Sequence, residues 1–186
     1  MRGADHLGLG TSSLDIAAVM DALEIDAAHL CGFSLGAAQA LRFAIDQPTR
    51  VISIVLGGLA VGPLAQVGLH LSPTAEAAQT EALAQIQRPL AKASGEAQAY
   101  FLAVQALLSA TPLTRITPSE LRVPILGVSG ATDPYDPPAL FRTLLRGGAR
   151  IEIQIVTAAG HGSCFTHPDF RMRATEFVTA QAEPSG

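Results

Sequence analysis

The stretch Gly32-Phe33-Ser34-Leu35-Gly36 constrains the fold more than any other part of this chain. A short apolar run, Leu30 and Cys31, precedes it, and a helix-forming stretch from Ala37 to Gln47 follows. Strand, sharp turn and helix are therefore expected in immediate succession. A serine on such a turn needs small neighbours, and the flanking glycines let backbone and side chains crowd together there. The turn lifts the Ser34 hydroxyl out of the sheet. It also leaves the Leu35 amide at a helix N-terminus, where unpaired N–H groups can receive a developing negative charge.

The surrounding pattern alternates strands with helices. Val51-Ile52-Ser53-Ile54-Val55-Leu56 is almost wholly apolar, as strands covered on both faces are. Val123 to Val128 is apolar throughout and reads as a central strand. Ile151, Ile153 and Ile155 alternate with Glu152 and Gln154, which predicts a strand with one wet face at a sheet edge. Thr11-Ser12-Ser13 offers caps for a helix through Ala22, with Leu14, Ala18 and Leu23 inward and Asp15 and Asp21 outward. The helix after Ser34 carries Leu35, Ala38, Leu41, Phe43, Ala44 and Ile45 and stops before Pro48. A last helix begins near Pro168 and buries Phe170, Ala174, Phe177 and Val178. Residues 60–118 break the rhythm with two helical patterns, one after Ser72-Pro73 and one after Ser94-Gly95. The reading is an α/β fold, a mainly parallel sheet of about four strands flanked by helices, in one domain over 1–182 with a flexible tail at 183–186.

A serine alone is a poor nucleophile; it needs a base to take its proton and a third group to orient that base. Asp133 follows the apolar run 123–128, and His161 follows the run 151–156. Ser34, Asp133 and His161 therefore all stand just past the C-terminal ends of expected parallel strands, where open α/β sheets place their sites. Asp136 competes for the acid role; Asp133 is favoured because it comes first after the strand and precedes Pro134. Phe33, beside the serine, is a candidate pocket wall, or packs the turn only. His161, Cys164, His167 and Asp169 match no zinc spacing, and His167 before Pro168 is better placed to cap the last helix. Gly8-x-Gly10 lacks the third glycine and the preceding strand of a dinucleotide fingerprint.

Gly32–Gly36, Gly130-Ala131-Thr132-Asp133-Pro134 and Ala159-Gly160-His161-Gly162, in that order, resemble the α/β-hydrolase family. The resemblance runs from about Arg2 to about Ala180. It implies a partial α/β-hydrolase fold with residues 60–118 as a helical cap or lid. It implies Ser34 as nucleophile, His161 as general base and acid, Asp133 as orienting carboxylate and Leu35 N–H as half of an oxyanion hole. The implied reaction is hydrolysis of an ester, lactone or related acyl bond through an acyl-enzyme, with no metal or organic cofactor. Met1-Arg2-Gly3-Ala4-Asp5 resembles the family's loop after its fourth strand. On that alignment the earlier strands are missing, and with them the second oxyanion donor, whose loss costs about 100- to 1000-fold in rate. The alternative is a non-catalytic member that binds a ligand or another polypeptide.

Hydrophobic residues make up 48% of the 186 and charged ones 15%, which allows a sizeable core and excludes a disordered chain. A net charge of −4 with scattered Lys and Arg argues against nucleic acid or an anionic membrane as partner. No apolar run is long enough to span a bilayer. Cys31 is expected to pack in the strand before Ser34 and Cys164 to lie in the loop after His161; two isolated cysteines and no visible signal peptide fit a cytoplasmic protein. The expected partner is a small acyl substrate. The strand before Ser34 is expected to leave an apolar edge, through which a homodimer could form.

Overall fold

Short apolar runs become the strands of one sheet: β1 (Ala28–Phe33), β2 (Val51–Gly57), β3 (Ile125–Gly130) and β4 (Ile151–Val156). The computed structural model describes residues 9–59, 95, 121–133 and 137–182. The strand order is β1-β2-β3-β4, and every neighbouring pair is parallel. Parallel neighbours cannot be joined by a tight hairpin, so each connection must cross over the sheet. Helix α2 (Leu35–Asp46) and a single 3-10 turn at Pro48–Arg50 carry the chain from β1 to β2. Helix α3 (Pro137–Arg146) carries it from β3 to β4. Helix α1 (Leu9–Ala22) precedes the sheet, and α4 (His161–Thr166) and α5 (Pro168–Ala182) follow it. The expected lid over 60–118, the rival acid Asp136 and the tail 183–186 lie outside the described residues, Gly95 excepted.

The sheet is covered on both faces. On one, Ile54, Leu56, Ile125 and Ile151 meet Leu41 and Phe43 of α2 and Phe141 and Leu144 of α3. On the other, Val55, Leu126, Val128 and Val156 meet Cys164 of α4 and Phe170 and Phe177 of α5. All six residues of β3 are buried, which is why its run reads as unbroken hydrophobicity. Arg50 ties the turn after α1 to the start of β2: its guanidinium donates to Asp21 Oδ1 (2.6 Å), Ile25 O (2.8 Å) and Asp26 O (3.3 Å).

Several expectations need correction. Helix α1 starts at Leu9, so Thr11-Ser12-Ser13 lies inside it rather than at its cap. Its inward stripe is Ser13, Ile16, Ala17 and Met20, while Leu14 and Leu23 are 67% and 64% exposed. Small side chains at 13 and 17 allow close approach to the neighbouring helix, and Ser12 Oγ accepts a hydrogen bond from Gln39 Nε2 (3.0 Å). The helix thus turns inward a face of smaller residues than the stripe its larger apolar residues suggest. Cys31 is exposed rather than packed: among the described residues β1 is the sheet's edge, and α5 packs on β2, β3 and β4. Cys164 is buried within a helix, not in a loop. The β4 expectation holds for place and for Glu152, which is exposed; Ile155 is exposed as well, so the alternation fails in the strand's second half.

A Cβ at Gly127 would lie 2.7 Å from ring atoms of Phe141, so the missing side chain in β3 is the space that ring fills. Phe141 is fully buried. Phe141→Ala should destabilise the fold by about 3–5 kcal/mol, read as a lowered urea midpoint. A loss below about 1 kcal/mol would show that α3 does not anchor the sheet.

Candidate active site

The C-terminal ends of β1, β3 and β4 converge on three side chains. Ser34 follows β1 directly and caps α2, with φ 53° and ψ −115°. A non-glycine residue held at positive φ in a turn of this kind stores strain of order 1–3 kcal/mol. The surroundings hold it there: Ser34 N–H donates to Gly57 O of β2 (2.8 Å), and Ala37 N–H donates to Ser34 O (3.1 Å). Gly32 is sterically required, since a Cβ there would sit 2.1 Å from Gly36 O. Gly36 is not; a Cβ on it meets nothing within 4 Å. The crowding expected on both sides of the serine is therefore confined to the N-terminal side. Leu35 opens α2, and its N–H is one of the amides for which a helix has no internal partner.

Asp133 sits three residues past β3 with its carboxylate fully buried. His161 opens α4 with its ring about a quarter exposed. His161 Nδ1 lies 2.9 Å from Asp133 Oδ2, and His161 Nε2 lies 3.0 Å from Ser34 Oγ. An ionised carboxylate can only accept, so Nδ1 carries the ring proton and Nε2 is left to accept from the serine hydroxyl. The structure thus joins the three candidates in one chain of hydrogen bonds, although 127 residues separate Ser34 from His161 in sequence.

The loops bearing the acid and the imidazole are stitched together by backbone. Thr132 N–H and Thr132 Oγ1 both donate to Ala159 O, at 2.9 and 3.0 Å, and Ala131 N–H donates to Val156 O (3.0 Å). Gly130 permits this approach: a Cβ there would lie 2.3 Å from Ala159 O. Gly160 N–H then donates to Ser163 Oγ (2.9 Å), closing the first turn of α4 behind His161. Sequence reading passed over Thr132 because its task is to hold a loop, which leaves no mark in spacing.

Phe33 packs against the imidazole, ring centroids 5.2 Å apart. It lies over two consecutive glycines at the end of β2. A Cβ at Gly57 would sit 2.6 Å from Phe33 Cδ2, and one at Gly58 would sit 2.6 Å from Phe33 Cζ and 3.2 Å from His161 Cε1. The doublet Gly57-Gly58 at the end of an apolar run was the available signal for this seat. His167 Nδ1 accepts from Asp169 N–H (3.2 Å) at the start of α5, the capping place expected of it. Among the described residues, no group of three or more His, Cys, Asp or Glu could hold a metal ion. Among them also, no helix is long and apolar enough to cross a membrane.

Burial pushes the Cys164 thiol up from 9.0 to about 11, and the nearby Asp133 charge adds to the rise. Below pH 9 the thiol is protonated whether the chain is folded or not. Between about 9 and 11 the unfolded chain releases this proton and the folded one keeps it, so stability falls as pH rises through that window. Urea midpoints should therefore drop more steeply from about pH 8 to pH 10.5 in the wild type than in Cys164→Ala. Cys31 is present in both and cancels; parallel curves would refute the assignment.

Comparison with known proteins agrees with this architecture. The model of the α/β-hydrolase fold family matches residues 5–163. A 2-hydroxy-6-oxo-6-phenylhexa-2,4-dienoate hydrolase of Burkholderia cepacia is 44% identical over 59 residues, 28% of this chain. The matched segment covers only 21%, about a fifth, of that curated relative's length. An α/β-hydrolase enzyme from the metagenome of sediments of the Mar Chica lagoon, Morocco, superposes with a TM-score of 0.66 at 15% identity, over 95% of this chain and 72% of the other. A structure from a study of carboxylesterases of the thaumarchaeon Nitrososphaera gargenis superposes with a TM-score of 0.64 at 14% identity, over 94% and 74%. With the parallel sheet, the strained serine turn and the family match all in agreement, this chain belongs to the α/β-hydrolase fold family.

Proposed function

We propose that the protein is a serine hydrolase acting on an ester, lactone or related acyl bond. The observation that carries this reading is the unbroken path from Ser34 Oγ to His161 Nε2 and from His161 Nδ1 to Asp133 Oδ2, with each link within hydrogen-bond distance. Ser34 Oγ attacks the acyl carbonyl carbon while His161 Nε2 takes its proton. The buried Asp133 carboxylate holds the ring in the required tautomer and stabilises the imidazolium that results. Leu35 N–H, at the positive end of α2, donates to the oxyanion. The tetrahedral intermediate collapses, and the leaving alcohol departs with the proton from His161. Water then enters, gives a proton to the same nitrogen and attacks the acyl-enzyme; His161 returns that proton to Ser34 Oγ as the acyl–oxygen bond breaks, and the acid is released.

One observation favours a second reading. The curated relative at 44% identity is named for an oxo-dienoate substrate, so the same three residues could hydrolyse a carbon–carbon bond beside a ketone.

A fluorophosphonate probe should label the purified chain, and Ser34→Ala should abolish the labelling. Folded protein that stays unlabelled would favour a non-catalytic binding role. An ester panel beside a 6-oxo-dienoate then separates the two hydrolytic readings. Gly58→Ala should lower kcat at least tenfold with KM little changed, because the new methyl presses Phe33 and His161 at a backbone held at φ +52°. An unchanged kcat would show that the imidazole does not depend on this seat.

A further inference from the structure

Sequence reading did not single out Phe165, and the triad makes no use of it. It stands four residues after His161 on α4, so the two side chains occupy the same side of the helix. It is 52% exposed. Isolated exposed phenylalanines are common and need no explanation. This one is not isolated: its ring centroid lies 5.1 Å from that of Phe33 and 5.8 Å from that of Phe170. Phe33 in turn meets Phe170 edge-on at 6.0 Å and His161 at 5.2 Å. Phe170 is buried, and Phe33 is confined by Gly57 and Gly58 beneath it. The result is a fixed aromatic wall that starts at the imidazole facing Ser34 and ends in an open ring at Phe165.

We propose that Phe165 determines specificity, forming with Phe33 a wall that takes an aryl arm of the substrate beside the scissile bond. The proposal rests on the hydrolase reading and extends it to a substrate class. A carbonyl carbon at Ser34 Oγ carries its substituents alongside His161, and among the described residues the aromatic rings that continue from the imidazole are Phe33 and then Phe165. Aromatic rings pair in tilted or edge-on arrangements at about 4.5–7 Å, and the rings of the wall already stand at such spacings. An aryl group can join them as a further ring. A short aliphatic acyl group has no ring to pair with Phe165 and gains less from it.

The test uses esters whose other half is small, so that only one arm is aromatic. Vinyl phenylacetate against vinyl acetate probes the acyl side; benzyl acetate against ethyl acetate probes the alcohol side. Proton release gives kcat/KM. The wild type should prefer the aryl member of one pair, and Phe165→Ala should lower that aryl-to-alkyl ratio at least tenfold, mainly through KM, while Phe165→Trp retains it. A ratio unchanged by Phe165→Ala, or no aryl preference in either pair, overturns the proposal. If no ester is turned over and the fluorophosphonate probe leaves folded protein unlabelled, the hydrolase reading fails on its own. The wall is then read by calorimetry. Phenylacetate should bind at least tenfold tighter than acetate and lose that margin in Phe165→Ala; equal binding of the two acids overturns it.

Discussion

A carboxylate with no exposed surface cannot stand alone, and Asp133 is such a group. Removing a charge from water costs several kcal/mol unless hydrogen bonds replace the lost solvation. The imidazole of His161 supplies one of them at 2.9 Å. That requirement brings the end of β4 to the end of β3, and the Thr132–Ala159 bonds keep it there. The imidazole, so oriented, has one nitrogen left, and it faces Ser34. The arrangement around the serine therefore follows from satisfying one buried charge on the neighbouring loop.

Glycines of this rim serve separate ends. Gly32 and Gly130 admit backbone against backbone, while Gly57 and Gly58 admit an aromatic ring. A side chain at any of the four would meet an atom closer than 3 Å. Gly36 and Gly162 carry no such constraint. Glycine's conformational cost is thus concentrated where close approach is needed.

Much of the fold was legible because its strands are short apolar runs bounded by turn residues, and a parallel sheet buries both faces of such runs. The placement of Ser34, Asp133 and His161 at strand ends was equally legible, since each follows a run directly. What the pattern could not convey was rotation and edge effects. The stripe of α1 depends on its partner helix, which favours Ser13 and Ala17 over Leu14 and Ala18. The exposure of Cys31 depends on how far α5 reaches across the sheet. Helix α4 is six residues long, too short to show a helical period, and so Phe165 and the burial of Cys164 were hidden with it.

The strand order matches the order of synthesis: each strand pairs with the one made before it. Ser34 comes early in the chain and Asp133 later, but the imidazole that links them follows β4, the last of the four described strands in chain order. Until β4 is in place, among the described residues no imidazole stands within reach of Ser34 Oγ.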